Sequence, residues 1–133
     1  MFRVKYCRET TLKLLYLIDV LGLSGENPAD ILEKNKNFFK DLNSEEEEFI
    51  AGIIKKIEEE KEKIDDLLKK SLIGWKLGRL MSIDRCLLRM GIAESRFNDQ
   101  KAVIIDDIIR IAKKYGGEES YKIINAILDK VIS

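Results

Sequence analysis

Histidine is absent from this chain, which removes the commonest general base and the commonest metal ligand. There are 2 cysteines, Cys7 and Cys86, far apart and without a CxxC pair, so neither a disulfide framework nor a zinc site is expected. Proline occurs once, at Pro28, and the glycines fall mostly at segment ends, as an all-helical chain requires. No apolar run reaches the roughly 18 residues of a membrane span. The first twenty residues, MFRVKYCRETTLKLLYLIDV, lack the uninterrupted apolar core and small-residue cleavage site of an export signal. A reducing, cytoplasmic setting is the expectation. Charge of one sign is lacking too: 24 Lys and Arg against 24 Asp and Glu leave no net charge. A globally basic protein that coats nucleic acid is therefore excluded, and any phosphate binding must come from a local patch.

What is present is enough for one domain. The 133 residues are 45% hydrophobic and 36% charged, sufficient for one core and too few for a second domain of substance. Apolar residues recur at three- and four-residue spacing along most of the chain. Cys7, Thr11, Leu14, Leu15, Ile18 and Leu21 mark a first helix from about Arg3 to Leu21. Asn27-Pro28 is a natural cap and first residue for a shorter helix through about Glu33, and Phe38, Phe39 and Leu42 then pack a loop onto the core. Ser44 and Glu47 have capping-box spacing and open a long helix that continues to Leu72 on Ile50, Ile53, Ile54, Ile57, Ile64, Leu67 and Leu68. Residues 74–80 form a short turn, and Ser82 caps a helix with Ile83, Cys86, Leu87, Met90 and Ala93/Glu94 on one side. Two more helices follow, from about Lys101 to Tyr115 and from about Glu119 to Ile132. The reading is a single all-α bundle of six to seven helices over residues 1–133.

Catalysis finds little support. No Ser-x-x-Lys, Gly-x-Ser-x-Gly or Gly-rich phosphate loop occurs, so neither an enzyme nor a cofactor is expected. The acid pairs Asp65-Asp66 and Asp106-Asp107 project about 100° apart on a helix and read as surface acids rather than a metal site. Cys86 belongs to an apolar stripe, and Trp75 is either a core plug or an exposed contact. Charge placement says more. Arg3, Lys5, Arg8 and Lys13 face only Glu9 in the first 13 residues, with Tyr6 interleaved. A mobile basic end carrying an aromatic suits RNA, whose phosphates attract cations and whose bases stack. A second basic region runs from Lys69 to Arg89, and the acidic excess is confined to Glu45–Asp66.

The segment from Trp75-Lys76-Leu77-Gly78-Arg79-Leu80 through Ile83-Asp84-Arg85-Cys86-Leu87-Leu88-Arg89 to Glu94 resembles the NusB family of bacterial transcription antitermination factors. Those proteins show W-x-L-x-R-L followed by an acidic-basic-x-x-Leu-Arg helix. Ile105-Asp106-Asp107, Ala112-Lys113-Lys114-Tyr115-Gly116 and the closing SYKIINAILDK (120–130) are similar to further family motifs, as are Arg8-Glu9 and Leu15-Tyr16 near the start. The resemblance implies a helical bundle of two small subdomains. It also implies a binding role: with a small-subunit ribosomal protein, NusE, such proteins bind boxA RNA in ribosomal RNA leaders. Other Nus factors and RNA polymerase then join, and elongation becomes processive. On this resemblance Arg3, Lys5, Arg8, Glu119 and Lys122 are the expected RNA-binding residues, and Tyr16, Asp84 and Arg89 the expected NusE face. Val4 and Tyr6 stand where family members often carry arginine, Gln100 replaces a common proline and Ala126 a common glycine. A similar domain occurs fused to ribosomal RNA methyltransferases, but this chain has neither the length nor the nucleotide loop of that enzyme. A helical scaffold that binds only protein, including a homodimer, is the alternative.

Overall fold

The computed structural model describes residues 1–22, 27–37, 40–72 and 80–132, with the backbone alone at positions 28 and 29. Seven α-helices and no strand occur among the described residues: α1 (Val4–Leu21), α2 (Pro28–Lys34), α3 (Ser44–Glu59), α4 (Lys61–Ser71), α5 (Ser82–Glu94), α6 (Lys101–Tyr115) and α7 (Ser120–Ile132). The expected turn around Trp75 and the packing of Phe38 and Phe39 lie outside the described residues. No helix of the described residues is long and apolar enough to cross a membrane.

Local chemistry sets the helix ends. Gly22 closes α1 with φ 68°, a left-handed conformation that side chains disfavour, and its N–H bonds the Ile18 carbonyl. The capping box of α3 is one residue earlier than its sequence spacing suggested. Asn43 accepts from the Glu46 N–H at 2.9 Å, and Glu46 accepts from the Asn43 N–H at 3.1 Å. Ser44 is already helical. Nor does Ser82 cap α5: Met81 is the cap residue, and the Ser82 hydroxyl donates to Asp19.

The long helix expected from Ser44 to Leu72 is two helices. At Glu60 the backbone leaves the helical region, with φ −113° and ψ 21°, although its N–H still bonds the Lys56 carbonyl at 3.0 Å. Six charged residues, Glu58 to Lys63, separate Ile57 from Ile64, so no apolar side chain holds the helical phase across the bend. Beyond it, α4 carries Ile64 and Leu68 against α5 and α7.

Helix α5 is the centre of the bundle. Cys86, Leu87, Leu88, Met90, Ile92 and Ala93 are all buried, so this helix is apolar on nearly every side, as a central helix must be. Helices α1 and α3 pack on α5 and on each other; α4, α6 and α7 pack on it too, with α7 touching both α4 and α6. One continuous apolar cluster runs through both sets. Gly91 permits the close approach of α7, since a Cβ there would sit 3.0 Å from Leu128 Cδ2. Cys86 is interior, at 2% exposure, as its stripe position indicates.

Candidate nucleic-acid interface

Among the described residues five charged side chains are buried, namely Arg8, Glu46, Asp84, Glu94 and Asp107, and they decide which cations remain at the surface. Arg8 is not part of a mobile basic end. It is 2% exposed and points inward from α1, where Nε and Nη2 donate to the two oxygens of Glu94 at 2.8 and 2.6 Å. Its Nη1 donates to Asp107 Oδ2 at 3.0 Å. The expectation of Arg8 as a phosphate contact is thus corrected: two carboxylates, from α5 and α6, already engage all three nitrogens of the fork that would grip RNA. Asp107 is likewise no surface acid.

Arg3 is also engaged. Its Nε and Nη2 donate to Glu46 at 2.8 Å each, Nη1 to Asp41 Oδ2 at 3.0 Å, and its backbone N–H to Glu46 at 3.0 Å. The guanidinium stacks 4.5 Å from the Tyr6 ring centre, and the Tyr6 hydroxyl donates to Asp41 at 2.9 Å. The Arg3 hydrogen bonds hold the Glu46 carboxyl down to about 2. The start of the chain is therefore latched to the first turn of α3. Of the three N-terminal cations expected to bind RNA, Arg3, Lys5 and Arg8, Lys5 alone stands exposed.

A second polar chain crosses from the interior to the surface. Asp107 Oδ1 accepts from Arg110 Nε at 2.6 Å, and Arg110 Nη1 donates to Glu9 Oε2 at 2.9 Å. Glu9 Oε1 accepts from Lys114 Nζ at 2.8 Å and from the Tyr115 hydroxyl at 2.9 Å. Burial pushes the Glu9 carboxyl up, but Lys114, Arg110 and Tyr115 more than reverse this and hold it at about 2. Lys5 and Lys13, one helical turn to either side of Glu9, share its stripe of α1 and are exposed.

Where α6 ends and α7 begins, cations gather around aromatic rings. Lys113 Nζ lies 4.9 Å from the Tyr121 ring centre, Lys122 Nζ 5.9 Å from the same ring, and Lys114 Nζ 5.2 Å from that of Tyr115. Glu119 and Lys122, two expected RNA residues, meet as an exposed ion pair at 3.0 Å. Glu119 therefore acts on Lys122 and raises its pKa. Sequence reasoning missed Lys113, Lys114, Tyr115 and Tyr121 as site residues. Their signal was the alternation of lysine with tyrosine on both sides of Gly116-Gly117.

The expected partner residues do not form one patch. Tyr16 is 41% exposed on the outer stripe of α1, followed by exposed Val20 and Leu21. Arg89 pairs with Asp65 of α4 at 3.0 and 3.2 Å and lines a cleft of about 110 Å³ with Ile18, Asp19, Ile57 and Cys86. Asp84 is five residues before Arg89, roughly 140° away around the α5 axis. It is a buried acid rather than a surface one, with 4% exposure. Its Oδ2 accepts from Ser120 Oγ at 3.1 Å, its Oδ1 has no hydrogen-bond partner, and burial raises its pKa. Among the described residues no cluster of three metal-ligating side chains occurs.

Comparison with known proteins accords with this arrangement. The NusB family profile matches residues 6–133. The transcription antitermination protein NusB of Clostridium botulinum (strain Kyoto / Type A2) is 36% identical over 140 residues, covering 94% of this chain and 96% of that protein. Among solved structures, NusB of T. maritima superposes with a TM-score of 0.86 at 32% identity, covering 99% of this chain and 92% of that one. A crystal structure of antitermination factors NusB and NusE in complex with dsRNA superposes with a TM-score of 0.82 at 28% identity, covering 96% of this chain and 94% of the matched chain. With its fold superposing on a solved NusB structure and its sequence matched over residues 6–133, this chain belongs to the NusB family.

Proposed function

We propose that this chain is an antitermination factor that binds boxA-type RNA of ribosomal RNA leader transcripts together with NusE. In that complex it joins other Nus factors on RNA polymerase and supports processive elongation. The observation that carries the reading is the surface along α6, which packs against both α7 and α1. It offers Lys113, Lys114 and Lys122 beside Tyr115 and Tyr121, with Lys5 and Lys13 on α1. Single-stranded RNA recognition uses this chemistry, in which cations hold the phosphates and aromatic faces hold the bases. Family membership and the likeness to a NusB–NusE–RNA complex support the partner choice. Arg3 and Arg8 drop out of the contact set and serve the fold; Lys5 and Lys122 remain.

On the partner side, Tyr16 and Arg89 are the residues of the proposed NusE face that reach solvent. Asp84 lies beneath Ser120 and shapes that end of the molecule from within. A second reading, a protein-binding or homodimeric scaffold without RNA specificity, draws on the exposed run Tyr16, Val20 and Leu21. Titrating a fluorescent boxA-type oligomer and its scrambled counterpart, with and without NusE, separates the two. Sequence-selective binding that NusE tightens by about 1–3 kcal/mol supports the RNA reading. Equal, weak binding of both oligomers with NusE present supports the scaffold.

A further inference from the structure

We propose that Glu9, an acid at the centre of the cationic surface, is a positioning residue that sets RNA selectivity by fixing Lys114 and Tyr115 in one arrangement. The inference rests on the RNA-binding reading above. An acid here looks adverse to phosphate, since Lys5 and Lys13 lie on its own stripe and Arg110 and Lys114 face it from α6. Its contacts give it a different role. Both carboxylate oxygens are occupied: Oε2 by Arg110, and Oε1 by the Lys114 ammonium and the Tyr115 hydroxyl.

Arg110 is anchored in turn to Asp107, which shares the buried Arg8 with Glu94. An unbroken polar chain thus ties an exposed lysine and a half-buried tyrosine to the packed centre. The Lys114 side chain is 55% exposed, so its ammonium is held by Glu9 and still faces solvent. A lysine already confined to one arrangement gives up little further rotamer freedom when it meets a phosphate. A tyrosine fixed by its hydroxyl presents a ring of defined orientation. Free lysines attract any RNA backbone; fixed ones favour the strand whose phosphates and bases match their spacing.

Glu9→Gln separates this role from simple electrostatics because the two predict opposite outcomes. The change adds one positive unit to the surface, so electrostatics alone strengthens binding of every RNA. Positioning predicts instead that selectivity falls. The ratio of dissociation constants for scrambled and boxA-type oligomers, measured with NusE, should drop at least about tenfold, the scale of one charge-assisted hydrogen bond. Binding of the scrambled oligomer should hold or tighten. Its log–log salt slope should steepen by about 0.7 for each lysine released.

Tyr115→Phe removes one donor to Glu9 without changing charge and should lower the ratio part-way. This ratio does not depend on the folded fraction, so a purely structural role leaves it unchanged. A Glu9→Gln protein that binds the boxA-type oligomer as tightly or more tightly, with selectivity intact, overturns the inference alone. A wild-type protein that discriminates neither oligomer overturns the RNA reading and the inference with it.

Discussion

Arg8 and Glu94, 86 residues apart in sequence, form a two-pronged ion pair at 2.8 and 2.6 Å with 2% and 1% of their side chains exposed. Asp107 completes the group from α6. A buried arginine is tolerable only when its charge and donors are met, and here two acids from separate helices meet them. The pair thus orients α1 against α5 and α6 at the base of the cationic surface.

Arg8→Met should therefore destabilise the protein by about 3–5 kcal/mol, because it leaves Glu94 and Asp107 buried without their cation. Denaturant unfolding at neutral pH measures this. Were Arg8 an RNA contact in solvent, the variant would unfold within about 0.5 kcal/mol of the parent and lose only RNA affinity.

Acid should loosen the latch between the chain start and α3 and the link between α1 and α6. Hydrogen bonds from Arg3 lower Glu46 from 4.5 to about 2. Glu9, despite burial that opposes ionisation, is also lowered from 4.5 to about 2 by Lys114, Arg110 and Tyr115. For a depressed carboxyl the stabilisation is fully present above the unfolded-state value and disappears as pH falls through the folded-state value. The denaturation midpoint should thus fall between about pH 5 and pH 2. Glu46→Gln should be less stable at pH 7 and lose less across that interval. An unchanged pH profile in Glu46→Gln would contradict the latch.

Asp84 has the opposite sign. Burial raises its carboxyl above 3.8, and Oδ1 has no donor. Its charged form therefore opposes folding, a cost absent below the unfolded-state value that sets in as pH rises through the folded-state value. Asp84→Asn should match or exceed the parent's stability at pH 7, by up to about 1 kcal/mol, with the advantage shrinking toward pH 4. A loss of several kcal/mol at pH 7 would show that the charge is compensated in solution.

The helices were legible because apolar residues keep a 3.6-residue period through Leu14, Leu15 and Ile18 and through Ile104, Ile108 and Ile111. The bend at Glu60 was not, since six charged residues leave that period without a mark. The cap at Asn43 was missed by one residue because Asn43 and Ser44 are both good caps. Only the Glu46 side chain, drawn toward Arg3, selects between them.

The buried charges were partly readable. Arg8 stands four and seven residues before Leu12 and Leu15, and Glu94 extends the stripe of Met90, so both occupy inward positions. That these positions face one another depends on how three helices pack, which periodicity alone does not encode. The same holds for Lys113 and Tyr121, brought together by the turn between α6 and α7.

The proposed RNA surface runs along α6, with α7 and α1 packed beside it. Its most direct test is a salt series of boxA-type RNA binding, with NusE, for the parent and for Lys113→Ala, Lys122→Ala and Tyr121→Ala. Each lysine variant should flatten the log–log salt slope by about 0.7 and weaken binding of all RNAs alike. Tyr121→Ala should cost about 1–3 kcal/mol with the slope unchanged. Affinity and slope indifferent to all three substitutions would place the RNA elsewhere on the molecule.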